Sequence, residues 1–196
     1  AGVAMRSITP DLSHCDPWTD ADGDSRYDPS KGDTYQDANG NGKFDAVWMA
    51  GFSMNRPARG VHDDLWTRAI ALRNNGVTLV LVTVDSIGLF HEQIIKLRKS
   101  IDPKLGIDHV MVSSAHNHEA PDTMGIWSNG ILFPDFDHDY LAHVIEATRE
   151  AVEEAVHNLK PSDMYCAEAM IEPEGFVHDS RPPYVYDKRI CCMRFT

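Results

Sequence analysis

Asn75-Gly76 stands between two apolar runs, Trp66 to Arg73 and Val77 to Asp85. An Asn-Gly pair tolerates positive φ at both positions, and so closes a two-residue hairpin whose twist matches its strands. The spacing predicts that the two runs pair as antiparallel strands. The second run, VTLVLVTV, is apolar on both faces and is expected at the centre of a sheet.

The remaining elements are read around that hairpin. GVAMRSITP alternates and is ended by Pro10, which predicts an opening strand. AVWMAGF reads as a second short strand. HEQIIKLRKSI reads as a helix with Ile94, Ile95 and Leu97 near one side, ending before Pro103. HVMVSSAH reads as another buried strand. In DYLAHVIEATREAVEEAVHNLK, residues Leu141, Val144, Ile145, Thr148, Val152, Ala155, Val156 and Leu159 recur at spacings of three and four, and Pro161 stops the helix. MYCAEAMIE and KRICCMRFT read as strands. Strands alternating with helices after a hairpin predict the α/β class, with a mixed β-sheet flanked by helices.

The 196 residues, 42% hydrophobic, suffice for one sizeable domain over 1–196. The chain stops inside what reads as a strand, so that domain is expected to be incomplete. The opening AGVAMRSITP is compatible with a processed, mature start. A net charge of −12 argues against nucleic acid as a partner. No run approaches the roughly 18 to 20 apolar residues of a membrane helix. Cys15, Cys166, Cys191 and Cys192 show no C-x-x-C spacing, which argues against a structural zinc knuckle. Cys191 and Cys192 are adjacent and poorly placed to pair with each other; disulfides to Cys15 or Cys166 and free thiols both remain open.

The charge is concentrated. Residues 16–45 hold eight Asp and no Glu against Arg26, Lys31 and Lys43. DPWTDADGDSRYD (from Asp16) aligns with DTYQDANGNGKFD (from Asp33) at a constant offset of 17. Asp20, Asp22, Asp24 and Asp28 match Asp37, Asn39, Asn41 and Asp45, and Trp18 and Tyr27 match Tyr35 and Phe44. Oxygen side chains at positions 1, 3, 5 and 9, with a backbone carbonyl at 7 (Arg26, Lys43), form the first part of an EF-hand-type calcium loop. Gly42 stands at position 6 of the second copy and Ser25 in the first. Position 12 is Lys31 or Trp48 rather than the usual Glu. The pattern resembles the short calcium loops of dockerins and thrombospondin repeats, with Asp16 and Asp33 as further ligands. Weak sites of this type suit extracellular calcium, which points to an extracellular or periplasmic protein. A solvated acidic loop is the plain alternative.

SSAHNHEAPD, from Ser113, follows the predicted strand HVMVSSA. Residues two apart on a strand share a face. If the extended conformation persists, His116 and His118 project together at the strand's C-terminal end, where α/β sheets place their sites. His-x-His there supplies two nitrogens to zinc, or else forms a hydrogen-bonded structural pair. Glu119 and Asp122 are close enough to act as base or supporting acid. His62, in a glycine-containing loop before the hairpin, completes a set of three histidines that a sheet could converge.

Taken in order, these residues resemble the N-terminal catalytic domain of the neutral/alkaline (non-lysosomal) ceramidase family. Gly2 to Pro10 matches its opening Gly-Val-Ala…Ile-Thr-Pro strand. Gly60-Val61-His62 leads into Arg68-Ala69, and Val80 to Asp85 matches a Val-rich strand ending in Asp. Ala115-His116-Asn117-His118-Glu119-Ala120-Pro121 stands for the family's Thr-His-Thr-His-Ser-Gly-Pro, and DKRICCMRF for the strand that follows. Residues 16–45 read as an insertion. The resemblance implies a larger ceramidase-like catalytic domain and a zinc amidohydrolase acting on a small-molecule or lipid amide. His62 and His118 would be zinc ligands. His116 would orient water or polarise the scissile carbonyl, and Glu119, where the family has Ser, would be a general base. The family's remaining ligands, a Glu and a Tyr, match no segment here.

Two functions follow from different features. The first is a secreted zinc-dependent hydrolase of C–N bonds with a calcium-stabilised insertion. The second is a non-catalytic, calcium-dependent extracellular structural or adhesion protein on the same fold. A metal-dependent phosphoesterase ranks last, because no basic cluster accompanies the histidines.

Overall fold

The computed structural model describes residues 1–127 and 137–196. In chain order the main elements are β1 (Gly2–Ser7), β2 (Trp18–Thr19), β3 (Thr34–Tyr35), β4 (Trp66–Asn74), β5 (Val77–Val84), α1 (His91–Ser100), β6 (His109–Ser114), α2 (His138–His157), β7 (Met164–Met170) and β8 (Arg189–Phe195). They form two compact units, Gly2–Leu159 and Lys160–Thr196 together with Ala1.

The larger unit is built on a sheet of order β1-β4-β5-β6. β4 and β5 are the expected hairpin, with Thr67 opposite Val84 and Asn74 opposite Val77. Asn75 and Gly76 close it at φ 49° and 80°, the left-handed values that the Asn-Gly pair supplies at low cost. β1 adds antiparallel to β4, and β6 adds parallel to β5 after the α1 crossover. The sheet is therefore mixed and the class α/β.

β5 is interior, but its burial alternates. Thr78, Val80, Val82 and Val84 are buried while Val77 and Thr83 are exposed. The cause is that α2 packs across β1, β4 and β5, and α1 packs on α2. Ala69, Ala71, Val80 and Val82 meet Val144, Ala147, Ala151 and Val152 in the core. The opposite face carries exposed Val3, Met5, Val77 and Met111. α2 starts on Asp137, whose carboxylate accepts the Tyr140 amide at 2.8 Å, as an N-cap should. Gly2 lets the helix close on the sheet: a Cβ there would lie 2.2 Å from the Ala155 carbonyl oxygen.

Two expectations are corrected. β6 is not buried; it lies at the edge of this sheet and alternates between exposed and half-buried residues. AVWMAGF forms no strand, only isolated bridges from Trp48 to Pro57 and Met49 to Pro121. Gly51, Phe52 and Asn55 all take positive φ, which bends the chain out of any ladder. In α1, Leu97 is buried whereas Ile95 is exposed.

Residues 16–45 fold as a pseudo-two-fold pair. β2 and β3 pair antiparallel, with Trp18 opposite Tyr35, the residue it matches in the repeat. Tyr27 and Phe44, also matched, lie 4.2 Å apart between ring centroids, and both approach Tyr35. Asp16 and Asp33 are buried at 4% and 3% exposure. The segment's ends meet, since the Asp16 amide donates to the Asp45 carbonyl at 2.8 Å.

In the smaller unit β7 and β8 form an antiparallel ladder from Met164 opposite Phe195 to Met170 opposite Arg189. All four cysteines are free thiols, Cys166, Cys191 and Cys192 on this hairpin and exposed. Among the described residues no helix is long and apolar enough to cross a membrane.

Candidate functional site

β6 ends at Ser114, and the chain then follows the end of β5: the Ala115 amide donates to Val84 O and the Asn117 amide to Ser86 O. His116 has φ 58°, so the extended run does not continue through the histidines. The two rings nevertheless come together, with centroids 4.8 Å apart and the Nε2 atoms 3.2 Å apart. His116 Nδ1 lies 2.9 Å from Ile87 O. A carbonyl only accepts, so Nδ1 carries the proton and the neutral ring keeps its lone pair on Nε2. A tetrahedral zinc with bonds of about 2.0–2.1 Å separates its ligands by roughly 3.3 Å. The Nε2 pair has that spacing, which is also that of a hydrogen bond from His118 Nε2–H to His116 Nε2.

His118 is held from the irregular segment that contains Gly51 and Phe52. A Cβ on Gly51 would lie 2.5 Å from His118 Nδ1, so only glycine leaves room for the ring. Phe52 packs edge-on against that ring at 5.0 Å. Arg56 donates to His118 O at 2.7 Å and to Ala50 O at 3.1 Å, and its guanidinium lies 5.5 Å over Phe52. His118 Nδ1 is buried without a hydrogen-bond partner among the described residues. In the sequence, Gly51 directly after an apolar run was the available signal of close backbone approach.

The third histidine stands apart. His62 is almost fully exposed and pairs its Nδ1 with Asp63 at 2.8 Å. With Asn117, Glu119 and Asp85 it lines a hollow of about 510 Å³ whose walls do not include the His116 and His118 rings. Glu119 lies on the rim of that hollow, 3.3 Å from Arg56, with its amide on Asn117 Oδ1. Asp122 is an anchor: its carboxylate accepts the amides of Met124, Gly125 and Trp127 from a buried position. Asp85, at the end of β5, takes the Trp66 amide and pairs with Arg68 at 2.8 Å.

The tandem loops keep the predicted turn. Ser25 and Gly42, at the equivalent sixth positions, have φ 64° and 74°. In the first loop Asp20 accepts the amides of Gly23 and Ser25, Asp22 that of Asp24, Asp24 that of Arg26, and Asp28 that of Ser30. In the second, Asp37 collects Gly40, Asn41 and Gly42, Asn39 takes Asn41, and Asn41 takes Lys43. The loops differ in charge. Lys31 Nζ lies 3.1 Å from Asp22 and 2.5 Å from Asp24, and Arg59 pairs with Asp20 while covering Trp18 at 4.7 Å. Position 12 of the first copy thus supplies an ammonium where an EF-hand has its Glu. In the second loop the Asn39 and Asn41 amide nitrogens meet Asp45 at 2.6 and 2.7 Å, and among the described residues no lysine or arginine pairs with Asp37 or Asp45. Asp20, Asp22 and Asp33 form the one group of three or more His, Cys, Asp or Glu side chains, among the described residues, whose ligand atoms lie within 4.8 Å of one another.

No protein-family model matches the chain, and no curated protein sequence matches it. Solved structures do. A neutral ceramidase from Pseudomonas aeruginosa superposes with a TM-score of 0.60 at 17% identity, and a ceramidase complexed with C2 with a TM-score of 0.58 at 17%. In each case the match covers 87% of this chain and 23% of the solved chain. The fold is therefore ceramidase-like, and the chain spans less than a quarter of the length of the structures it matches.

Proposed function

We propose that this chain carries part of the centre of a zinc-dependent, ceramidase-type hydrolase of C–N bonds. The observation that carries the reading is the 3.2 Å approach of His116 and His118 Nε2, with His116 Nδ1 committed to Ile87 O. Both rings, rather than His118 with His62, are assigned as zinc ligands here, because His62 lines a different hollow. A zinc ion held there would polarise the amide carbonyl and lower the pKa of a bound water. The chain's own residues do the positioning. Ile87 O fixes the His116 tautomer, Gly51 and Phe52 fix the His118 ring, and Arg56 holds the backbone that presents it. Glu119, paired with Arg56 on the adjoining rim, is read as a substrate contact rather than a metal ligand. The substrate class that goes with the ceramidase-like fold is a lipid amide.

The tandem loops are read as calcium sites that rigidify an extracellular insertion. The second loop is the stronger candidate, because its carboxylates lack the side-chain cations that neutralise the first. A calcium-dependent structural protein without catalysis remains the competing reading, and metal analysis of purified protein separates the two. The hydrolase reading expects zinc that both His116→Ala and His118→Ala lose while calcium is retained. Calcium alone in the parent protein would overturn it.

A further inference from the structure

Three consecutive carbonyls just beyond β5 each accept a hydrogen bond from the segment that carries the histidines. Ser86 O takes the Asn117 amide at 3.1 Å, Ile87 O takes His116 Nδ1 at 2.9 Å, and Gly88 O takes the Thr123 hydroxyl at 2.6 Å. The first two bonds belong to the His-x-His motif itself. The third comes from Thr123, which stands outside that motif and is only 1% exposed.

The same short turn also reaches the segment that holds the other histidine. Ala120 O accepts the Ala50 amide at 2.9 Å, and the Asp122 amide donates to Trp48 O at 2.7 Å. Those bonds tie residues 120–122 to the stretch whose Gly51 admits the His118 ring. Asp122 is buried and accepts the amides of Met124, Gly125 and Trp127, so the turn that carries Thr123 is anchored from both ends. Residues 120–123 therefore bridge the two segments, 48–51 and 86–88, against which His118 and His116 rest.

The bond to Ile87 O decides what His116 can do. It holds the proton on Nδ1 and leaves the lone pair on Nε2, 3.2 Å from His118 Nε2. The direction of that carbonyl is weakly restrained by its own neighbour, because the next residue is glycine, the residue of widest backbone freedom. Pinning Gly88 O supplies the missing restraint, and the β-branched threonine, stiff at χ1, keeps its hydroxyl aimed. We propose that Thr123 is a positioning residue for His116, acting through the Gly88 carbonyl to hold Ile87 O where it fixes the imidazole tautomer. Its effect on a bound metal rests on the zinc reading above; its effect on the ring does not.

The test compares Thr123→Val, which keeps the shape and removes the donor, with Thr123→Ser, which keeps the donor and loses a methyl. Long-range proton–nitrogen NMR spectra of the metal-free chain, at a pH where the histidines are neutral, report the His116 tautomer. The parent and Thr123→Ser should show the Nδ1-protonated form, and Thr123→Val a mixture with the Nε2-protonated form. Zinc affinity, measured by chelator competition, should fall about tenfold in Thr123→Val, the low end for losing a partner behind a ligating histidine, and recover in Thr123→Ser. Thr148→Val removes an equally buried hydroxyl from the core under α2 and should change neither measurement. Thr123→Ala takes the place of the valine variant should that one not fold. Retention of the parent tautomer in Thr123→Val, or its loss in Thr123→Ser to the same extent, would overturn the role. If the parent binds no zinc, the zinc reading falls and the tautomer comparison alone decides on Thr123.

Discussion

Asp16 and Asp33, seventeen residues apart, each close the loop that belongs to the other. Asp33 accepts the amides of Ala21 and Asp28, both at 2.8 Å, in the first copy. Asp16 accepts those of Ala38 and Asp45, at 2.8 and 2.9 Å, in the second. Ala21 and Ala38, and Asp28 and Asp45, are themselves related by the offset of 17. The repeat is therefore interlocked rather than merely tandem.

That crossing predicts a crossed phenotype. Asp33→Ala leaves two amides of the first loop unpaired, at a cost of about 1–3 kcal/mol each. Hydrogen exchange should rise in residues 21–28 for Asp33→Ala and in 38–45 for Asp16→Ala. If each variant instead loosened its own copy, the interlock would be refuted.

The hold on His118 predicts a selective defect. Gly51→Ala places a methyl 2.5 Å from the His118 ring at a backbone φ of 76°, so the ring must move. On the proposed zinc reading, zinc retention should fall at least tenfold with the far-UV circular dichroism unchanged. Gly60→Ala, which meets nothing within 4 Å, is the matched control and should behave as the parent.

Leu97 and Ile95 separate the buried and exposed sides of α1. Leu97→Ala should destabilise the larger unit by about 2–5 kcal/mol in urea unfolding. Ile95→Ala, on an exposed position, should cost less than about 1 kcal/mol. Equal losses would mean that the helix packs on a different face.

Acid should act on the second loop through Asp37. The amide of Gly42 first, and those of Gly40, Asn41 and Asn39, hold its carboxyl below the ordinary value of 3.8. The folded form therefore binds fewer protons on this group. Its contribution is present above about pH 3.8 and is lost as the pH falls below that. With calcium absent, Trp48 fluorescence should report a transition in that window for the parent and a flatter one for Asp37→Asn.

Local chemistry was legible where it was self-contained. The Asn75-Gly76 hairpin, the α2 stripe and the register of the acidic repeat all rest on residues that act within a few positions of one another. The misjudged elements depended on distant partners. β6 looked buried because its residues are apolar, yet burial depends on what packs beside a strand. AVWMAGF looked extended because its residues are apolar and the positive φ of Phe52 has no signature in residue type, although Gly51 beside it did carry one. The joining of His116 to His118 could be anticipated from their spacing. The route to it, a left-handed turn at His116 rather than a continued strand, could not.

The bond from the Asp16 amide to the Asp45 carbonyl has a further consequence. Thirty residues leave the body of the molecule and return beside the point where they left, so the segment has a closed neck, with further contacts from Tyr27 to Asn55 and from Asp20 and Trp18 to Arg59. A short linker across that neck could replace the whole excursion without asking the sheet to move, at the cost of the partners of Trp48, Asn55 and Arg59. Half of it could not be removed in the same way, because either copy alone would strand a buried carboxylate. The segment is a unit of engineering as well as of folding, to be cut out or transplanted whole.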